Sequence, residues 1–507
     1  MLARSEVSPE KLRGGFYTPP ALVRATLDAL ARVAPDGPLR VLEPSAGDGA
    51  FLRGLAAHPL GERVAATRAI ELVETEAARC GALVADAVEW CAETGETFDA
   101  AVGNPPFVRF QFAGGTDQAD RLGERIGVSF GAVGNLWIPV LLGALSRLRS
   151  GGGFAFVVPA ECLTGVSAAV VRRFLLDRCR DVALEFYAFP GVLQEVVILS
   201  GRAAPGPSVV SVGGRRHAVH GDGPWTRYLL SRAQIGALSA AEAISRPLGD
   251  VARFEVSIVT GANRFFCPGR ETVERYGLGP WARPLLSRAR HAPGLVAEPD
   301  AYLLDFSPGR ETPPREYLEI GERAGLAARY KCRIREPWWR VPGVQAGSLL
   351  LSKRSHLAPR VLVNPSGVLT TDTIYRGRTL TPGVGPRDVA AGFHSSLTLL
   401  SAELEGRSFG GGVLELVPSE ITRLRFVAGA GAELPRLDAI LRAEGIEALV
   451  EATDALLVRR AGVAADLLGE LAGARAELLE RRLARNRRGG VAAAAAGQAA
   501  LPAVDAA

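Results

Sequence analysis

The chain has 507 residues, 48% of them hydrophobic and 22% charged, which is typical of a folded protein with two or three domains. No apolar run is long enough to cross a membrane, and the N-terminal stretch lacks the apolar core of a signal peptide, so we expect a cytoplasmic protein without a membrane partner. The six scattered cysteines form no C-x-x-C pair, which argues against a disulfide framework or a zinc cluster, so no metal is expected. The net charge of +5 is mildly basic and does not by itself identify a partner.

The first 200 residues alternate between helical and strand patterns. Thr18-Pro19-Pro20 predicts a helix start, with Thr18 as its cap and the prolines in its first turn. A buried helix is predicted over residues 136–148 from its continuous apolar run. Strands are predicted at residues 39–42, 64–70, 82–84, 98–102 and 154–158. This alternation predicts an α/β fold with a mostly parallel, Rossmann-like sheet and helices on both faces.

The composition changes along the rest of the chain. Residues 201–223 are rich in Gly, Pro and Ser, which predicts a domain boundary in or after them. The regular alternation is lost beyond them, and apolar residues recur with helical spacing near the C-terminus. The predicted domains are an α/β domain over 1–235, a mixed α+β domain over 246–430, a helical segment over 431–488 and a disordered tail over 489–507.

A strand–turn–helix motif begins at the first predicted strand. Its sequence is Val41-Leu42-Glu43-Pro44-Ser45-Ala46-Gly47-Asp48-Gly49. Gly47 and Gly49 allow the backbone to approach a ligand closely, and the helix N-terminus behind them favours polar ligand groups. A G-x-G turn also occurs as a tight turn in any doubly wound fold, so this motif alone leaves both interpretations open.

Acidic residues follow the next two strands. Glu71 lies 24 residues after Gly47, where a carboxylate can accept hydrogen bonds from ribose hydroxyls. Asp86 follows the third strand and can accept from the adenine amine of the same nucleoside. Each acid could instead be a solvated loop residue, but three such features at consecutive strand ends favour an adenosine cofactor. The chain lacks a G-x-x-x-x-G-K motif and the third glycine of dinucleotide-binding turns, which favours S-adenosylmethionine over NAD.

The fourth predicted strand ends at Asn104-Pro105-Pro106-Phe107. The N6 amine of adenine is a poor nucleophile because its lone pair is delocalised into the ring. The side-chain carbonyl of Asn104 and the backbone carbonyl of Pro105 can accept hydrogen bonds from both amine protons, and Phe107 offers a flat face for the base. The prolines hold their predecessors extended, which fixes these carbonyls. The alternative is a rigid proline turn packed by a phenylalanine, but the position after a cofactor fold favours amine binding.

Together these segments resemble the gamma-class DNA adenine-N6 methyltransferases of the Taq and Cla modification type. In that class the cofactor motifs come first, the catalytic tetrapeptide follows and a large C-terminal region comes last, as in this chain. The resemblance implies a Rossmann-like class I methyltransferase domain, followed by a mixed α+β target-recognition domain and a helical C-terminal segment. It implies methyl transfer from S-adenosylmethionine to N6 of a flipped-out adenine, in a restriction–modification or phage-defence system.

The resemblance also assigns residues. Gly15-Phe16-Tyr17-Thr18-Pro19-Pro20 resembles the family's N-terminal cofactor-binding motif, and in the family an aromatic residue after the fifth and sixth strands stacks on the flipped base. Phe189 is the nearest match for that aromatic residue, and Tyr187 competes with it. The implied cofactor-binding residues are Tyr17, Thr18, Glu43, Pro44, Ser45, Gly47, Gly49, Glu71, Asp86 and Asn104. The implied catalytic residues are Asn104, Pro105, Pro106, Phe107 and Phe189.

A basic segment lies in the C-terminal half. From Arg329 to Arg360 there are eight basic residues against the single acid Glu336, and aromatic residues are interleaved with them. Such a pattern suits phosphate contact and base stacking, although it is also compatible with a charged surface over a hydrophobic corner. Residues 330–339 resemble part of the family's target-recognition domain, so double-stranded DNA is the expected partner. The predicted DNA-binding residues are Lys331, Arg333, Arg335, Trp338, Trp339, Lys353 and Arg354.

Two other functions stay open at this point. Asn-Pro-Pro-aromatic motifs also serve methyltransferases that modify glutamine in release factors or guanine N2 in ribosomal RNA, which usually place an accessory domain before the catalytic one. A non-catalytic DNA-binding homologue that kept the fold is the second alternative, although no motif position is broken. No nuclease constellation is found, so a restriction endonuclease would be a separately encoded partner.

Overall fold

The structure is a computed structural model. It describes residues 18–108, 116–131, 134–187, 196–206, 209–219, 221–307, 309, 312–409, 411–428 and 431–495, with side chains described for all of these except 116 and 485–495. The chain divides into two compact units, Met1–Ser231 and Arg232–Ala507. None of the helices in these ranges is both long and apolar enough to cross a membrane.

The first unit contains a nine-stranded sheet within its described residues. Its strands are β1 (Leu39–Glu43), β2 (Val64–Glu71), β3 (Leu83–Val84), β4 (Phe98–Gly103), β5 (Leu148–Pro159), β6 (Arg180–Tyr187), β7 (Val196–Arg202), β8 (Val209–Val212) and β9 (Arg215–Ala218). They lie in the order β3-β2-β1-β4-β5-β7-β6-β8-β9. The first five strands in this order, β3-β2-β1-β4-β5, are parallel to one another. β7 is antiparallel to both β5 and β6.

Helices accompany this sheet. They are α1 (Pro20–Val33), α2 (Ala50–Ala57), α3 (Glu74–Cys80), α4 (Ala87–Glu93), α5 (Thr116–Ile126), α6 (Trp137–Ser146) and α7 (Ala169–Arg178). In α6 every residue from Trp137 to Leu145 is buried, as its continuous apolar sequence requires. The apolar face of α1 packs with β1, β4, β5 and β7 in one core, through Leu22, Leu27, Val41, Val102 and Val157 among others.

The five strands predicted in this region and the buried helix are confirmed, within a few residues at their ends. The largest difference is β5, which begins at Leu148 rather than residue 154. The stretch 201–223, in or after which the sequence predicts a domain boundary, contains the end of β7 and the hairpin of β8 and β9, and the two units divide after it, between Ser231 and Arg232. Thr18 was predicted as the cap of α1, and this was wrong, because the N-cap residue is Pro19 and no side chain caps the helix.

The second unit contains short strands. They are β10 (Arg246–Pro247), β11 (Ala252–Glu255), β12 (Ala282–Leu286), β13 (Ala301–Leu304), β14 (Leu349–Ser352), β15 (Arg354–Ser355), β16 (Val361–Val363), β17 (Leu369–Thr370), β18 (Ile374–Thr379), β19 (Arg407–Phe409), β20 (Val413–Glu415) and β21 (Arg425–Phe426). The largest sheet has the order β11-β18-β14-β16, and smaller sheets are β13-β12-β17, β15-β20-β19 and β10-β21. All these pairs are antiparallel except β12 with β17.

Helices surround these sheets. They are α8 (Arg232–Ile244), α9 (Asn263–Phe266), α10 (Arg270–Arg275), α11 (Arg315–Arg323), α12 (Tyr330–Arg333), α13 (Pro386–Gly392), α14 (Ser396–Glu405), α15 (Pro418–Ile421), α16 (Leu434–Glu444), α17 (Ile446–Ala461) and α18 (Ala465–Ala495). Side chains of α16 and α17, such as Leu437 and Leu449, lie in the same core as Phe254 and Leu349 of the largest sheet. The predicted helical segment therefore packs as part of this unit. The tail was predicted to be disordered from residue 489, but α18 continues to Ala495, and residues 496–507 lie outside the described residues.

Candidate cofactor and base-binding site

The candidate site lies at the carboxyl edge of the first unit's sheet. Because β1, β2 and β4 are parallel neighbours, Glu43, Glu71 and Asn104 come to the same edge at or just after the strand ends. The chain order reverses between β1 and β4, since β2 and β3 lie on one side and β5 on the other. Ligands of open α/β sheets bind at such a switch point. The sequence motifs are thus brought together where the fold favours a ligand.

The glycine turn after β1 has the predicted backbone. Gly47 and Gly49 have φ of +54° and +78°, values that residues other than glycine rarely adopt. A Cβ on Gly49 would lie 2.6 Å from the Cβ of Cys80, whereas a Cβ on Gly47 would meet nothing within 4 Å. The turn is fixed to β2 by the amide of Ala46, which donates to the carbonyl of Ile70 at 2.9 Å. Open space therefore lies in front of Gly47.

Glu71 joins two loops at the strand ends. Its Oε2 accepts from the amide of Gly47 at 2.8 Å, and its Oε1 accepts from the amide of Val73 at 2.9 Å. A carboxylate oxygen has room for a second donor, so both oxygens can still accept from a ligand. Glu71, which the sequence spacing predicts as a ribose acceptor, therefore stabilises the glycine turn in the free protein.

Glu43 is buried, with 1% of its surface exposed. Neither of its carboxylate oxygens has a hydrogen-bond partner among the described residues. Burial raises the pKa of Glu43 well above its usual value, and the nearby carboxylates of Asp48 and Glu71 raise it further, while Arg53 lowers it. A buried carboxylate in this state gains from any ligand that brings positive charge or hydrogen-bond donors.

The two carboxylate oxygens of Asp86 differ in their hydrogen bonds. Its Oδ1 caps α4 by accepting from the amides of Val88 at 2.8 Å and Glu89 at 3.1 Å. These two bonds leave Oδ2 for another donor. The sequence predicted Asp86 as an acceptor for a ligand amine, and the helix cap is a structural role that was not predicted.

These residues fit S-adenosylmethionine. The molecule carries a sulfonium and an ammonium group, and Glu43 with its anionic neighbours would stabilise positive charge. The open approach at Gly47 and the remaining acceptors of Glu71 and Asp86 suit an adenosine. No group of His, Cys, Asp and Glu in the described ranges is arranged to hold a metal ion.

Asn104 lies directly after β4 and is half-buried. Its backbone carbonyl accepts from the hydroxyl of Ser45 at 3.2 Å, which joins the Asn-Pro-Pro-Phe tetrapeptide to the glycine turn. Its side-chain Nδ2 donates to the hydroxyl of Thr18 at 3.1 Å. Its side-chain Oδ1 is buried and has no partner in the described part of the chain. An acceptor is therefore available to an external donor, and its role toward a substrate amine stays a prediction.

The rest of the tetrapeptide is packed against the sheet. Pro105 is buried, and Pro106 and Phe107 are half-buried. Phe107 and Tyr187 pack against the same apolar core, which includes Val102 and Val196. Tyr187 lies at the end of β6, and its competition with Phe189 for the stacking role stays a prediction. Phe189 and Tyr17 lie outside the described residues.

In the second unit, Arg335 is engaged within the protein. Its guanidinium donates to the carbonyls of Thr260 at 2.8 Å and Val259 at 2.7 Å. Burial lowers the pKa of Arg335. The sequence predicts that Arg335 contacts a DNA phosphate. In the structure both of its terminal nitrogens donate to backbone carbonyls, so Arg335 stabilises the loop at residues 259–260 instead.

Trp338 and Trp339 were predicted to stack on DNA, but both are partly buried against an aromatic core. The ring of Trp338 lies 5.4 Å from that of Phe265 and 5.9 Å from that of Trp339. The alternative of a hydrophobic corner beneath a charged surface therefore describes the two tryptophans better. Interleaved aromatic residues in a basic segment occur in both arrangements, so no pattern in the sequence distinguishes them.

Lys331 and Arg333 are exposed on the short helix α12. The ammonium of Lys331 lies 5.5 Å from the ring centre of Tyr330, and Arg333 forms no ion pair with the residues that the structure describes. Tyr330 and Ile334 are exposed by 62% and 61% at the two ends of this turn. Neither apolar residue was predicted to be exposed, and only the fold reveals it.

Lys353 and Arg354 share one buried carboxylate. Arg354 pairs with Glu415 through its Nε, and the ammonium of Lys353 lies 4.0 Å from the same carboxylate. The Arg354 guanidinium also lies 5.8 Å from the ring centre of Phe409. Both cations are therefore partly neutralised within the protein.

Two family models match the chain. The Eco57I restriction-modification methylase model matches residues 66–187, and the model of the C-terminal domain of type II methyltransferase M.Eco57I matches residues 222–458. The first range includes Glu71, Asp86 and the Asn104 tetrapeptide, and the second includes the basic segment. The two matched ranges thus contain most of the predicted functional residues.

Relatives agree with these models. The chain is 26% identical over 455 residues to the type II methyltransferase M.XamI of Xanthomonas campestris pv. amaranthicola, a match that covers 81% of this chain and 84% of the relative. It is 33% identical over 205 residues to a type II methyltransferase of Thermus thermophilus, covering 37% of this chain and less than half, 45%, of that protein. The DNA-bound type ISP restriction-modification enzyme LlaBIII is similar at 11% identity and a TM-score of 0.46, with 84% of this chain and 39% of that one covered. The two family models and the match to M.XamI relate the chain to the type II restriction–modification methyltransferases, as an Eco57I-like homologue of M.XamI.

Proposed function

We propose that the chain is a site-specific DNA methyltransferase that transfers a methyl group from S-adenosylmethionine to N6 of an adenine flipped out of the duplex. It would act as the modification enzyme of a restriction–modification or phage-defence system, with any restriction endonuclease encoded separately. The observation that carries the proposal is the buried Oδ1 of Asn104, an acceptor without a partner in the described ranges, beside a cofactor-type turn. The relationship to M.XamI, a type II methyltransferase, supports the same reaction class.

The cofactor, when bound, supplies an electrophilic methyl group on a sulfonium that leaves as a neutral thioether. Glu43 would stabilise its positive charge, since the carboxylate is buried and surrounded by other acids. Glu71 would accept from the ribose hydroxyls with the lone pairs that the amides of Gly47 and Val73 leave. Oδ2 of Asp86 would accept from the adenine amine of the cofactor.

The target base must leave the helical stack, because its amine cannot otherwise reach an atom buried at a sheet edge. Oδ1 of Asn104 and the carbonyl of Pro105 would then accept from the two amine protons and return electron density to the nitrogen. No strong base is required, because the proton becomes acidic only as the new bond forms. Phe107 would stack on the base, and Tyr187 or Phe189 would complete the aromatic contact.

For the DNA backbone, exposure separates the predicted contacts. Lys331 and Arg333 are exposed and would pair with phosphates. Arg335 would instead stabilise the segment that carries them, through its hydrogen bonds to the carbonyls of Thr260 and Val259. Lys353 and Arg354 would contribute less per residue because Glu415 already pairs with them. Trp338 and Trp339 would stabilise the core beneath.

The test is to incubate the protein with unmethylated duplex DNA and isotopically labelled S-adenosylmethionine, followed by mass spectrometry of the nucleosides. We expect N6-methyladenine from the wild type and its near absence from Asn104→Ala. Labelled methyl groups on cytosine, on RNA or on a glutamine-bearing peptide would refute the substrate. A wild type that binds duplex DNA but neither binds the cofactor nor labels any substrate would indicate a non-catalytic homologue.

A further inference from the structure

The side-chain amide of Asn104 can present either of two chemically different atoms to a substrate. Its oxygen accepts hydrogen bonds and its nitrogen only donates them, yet a half-turn of the group exchanges the two with little change in shape. An amine substrate is itself a donor, so only the orientation with Oδ1 toward the substrate assists the reaction. A hydrogen bond from Nδ2 to a group on the other side leaves Oδ1 for the substrate.

Thr18 provides that contact. Its hydroxyl oxygen accepts from Nδ2 of Asn104 at 3.1 Å, across 86 residues of sequence. Oδ1 points away from this bond and has no partner in the ranges that the structure describes. The backbone carbonyl of Asn104 is held separately by the hydroxyl of Ser45, which fixes the peptide but leaves the side-chain amide free to turn.

The position of Thr18 is itself fixed. Only 9% of its surface is exposed, and it directly precedes the two prolines that begin α1. The carbonyl of Pro19 accepts from the amides of Leu22 and Val23 at 2.9 and 3.0 Å, which joins this segment to the first turn of the helix. Because proline restricts both its own backbone and that of the preceding residue, the Thr18 hydroxyl has little freedom to move.

We propose that Thr18 is a positioning residue for methyl transfer, whose hydroxyl holds Asn104 with its carbonyl oxygen toward the substrate amine. The proposal rests on the proposed function of Asn104 and differs from a direct contact between Thr18 and the cofactor. Thr18 acts through Asn104, so its loss affects turnover rather than cofactor affinity.

The experiment compares Thr18→Val, which removes the hydroxyl at nearly constant volume, with Thr18→Ser, which retains it. With unmodified genomic DNA, we expect kcat of Thr18→Val to fall about tenfold, the loss that one hydrogen bond can account for. The Kd of S-adenosylmethionine by calorimetry should change by less than about twofold, and Thr18→Ser should recover most of the turnover. In an Asn104→Ala background, Thr18→Val should cause no further loss, because the residue through which it acts is missing.

Thr26→Val is the matched control. Thr26 lies on the same helix and is fully buried, and its hydroxyl donates to the carbonyl of Leu22 at 2.8 Å. This variant should retain turnover even if it lowers stability. Equal losses of turnover in Thr18→Val and Thr26→Val would overturn the proposal, as would an about tenfold weaker cofactor affinity with unchanged kcat.

A second measurement does not depend on activity. In 15N-labelled protein, the side-chain amide of Asn104 is identified by the resonances that Asn104→Ala removes. We expect slow hydrogen exchange for this amide in the wild type and in Thr26→Val, and fast exchange in Thr18→Val. Unchanged exchange in Thr18→Val would overturn the positioning role, whether or not the protein methylates DNA. Absence of DNA methylation by the wild type would by itself refute only the proposed function.

Discussion

Some of the predicted functional residues differ between the two units in their hydrogen-bond and ion-pair partners. In the first unit, Glu43 and Asn104 carry buried oxygens without hydrogen-bond partners among the described residues. In the second unit, Arg335, Lys353 and Arg354 already have partners within the protein. A buried polar atom without a partner costs stability, so it persists where a ligand supplies the missing bond. This difference supports the proposal that methyl transfer takes place in the first unit.

The contrast has a physical origin. A side chain at the end of a parallel strand is placed by the backbone, and its neighbours along the sheet edge are other strand ends. An arginine on an irregular segment can satisfy its guanidinium equally with phosphates or with backbone carbonyls, as Arg335 does with those of Val259 and Thr260. Charge in sequence therefore identifies cations but does not show which of them face solvent.

The largest effect that we expect is on chemistry, from Asn104→Ala. The variant removes the acceptor at the moment when positive charge develops on the amine nitrogen, so turnover should fall about a hundredfold or more. Cofactor affinity should stay within about twofold, because Oδ1 serves the base. Single-turnover rates and calorimetry together check this. Near-normal methylation by Asn104→Ala would break the assignment of the first unit as the chemical centre.

Stability separates Arg335 from its neighbour Arg333. Arg335→Ala removes two charge-assisted bonds to backbone carbonyls and should lower the free energy of unfolding by about 2–3 kcal/mol. Arg333→Ala, on the exposed side of the same turn, should change it by less than about 0.5 kcal/mol. Urea denaturation of both variants provides the comparison. Equal values would mean that the brace on residues 259–260 contributes nothing.

Much of the first unit was predictable from its sequence. Apolar runs ended by Glu71, Asp86 and Asn104 indicated both the strands and the residues at their ends, because strand direction fixes where a carboxyl end lies. The glycine turn was equally predictable, since positive φ at Gly47 and Gly49 is a property of the residue type. Local chemistry and global topology coincide at this edge.

Other features depended on contacts that sequence spacing does not encode. Thr18 is predicted as a helix cap because threonine before a helix often caps it, but the N-cap of α1 is Pro19, one residue later. The Thr18 hydroxyl instead accepts from Asn104, 86 positions away. The sequence does not predict the antiparallel strands β8 and β9, because the stretch 201–223 around them is rich in Gly, Pro and Ser and indicates a domain boundary. Burial of Trp338 followed from the aromatic core around Phe265, which only the packing reveals.

Glu43 allows a pH test of the idea that site residues are retained at a cost to the free protein. Its folded pKa is raised, so the contribution of Glu43 to the stability of the wild type is highest below the ordinary pKa of glutamate and declines as the pH rises through the raised folded value. Glu43→Gln cannot ionise and lacks this decline, so it should be more stable than the wild type at about pH 8. Denaturation at about pH 5 and about pH 8 measures the difference, which should shrink at the lower pH.

The same substitution should weaken binding of S-adenosylmethionine at the higher pH, because the amide provides no negative charge to a cationic ligand. Glu71→Gln is a useful comparison, since that side chain already accepts from two backbone amides in the free protein. A Glu43→Gln variant less stable than the wild type at the higher pH would contradict the buried, unpartnered state from which this prediction starts.

The smallest effect per residue concerns DNA affinity and salt. Each cation that neutralises a phosphate of B-form DNA releases counterions and steepens the plot of log K against log salt by about 0.9. Lys331→Ala combined with Arg333→Ala should therefore flatten the slope by about 1.8, because both side chains are exposed and unpaired with acids in the described chain. Lys353→Ala combined with Arg354→Ala should flatten it by clearly less, because Glu415 neutralises part of their charge before DNA arrives. Fluorescence anisotropy on one duplex over a range of salt concentrations measures both pairs. If the second pair changed the slope as much as the first, internal ion pairing would not determine which basic residues reach the phosphates.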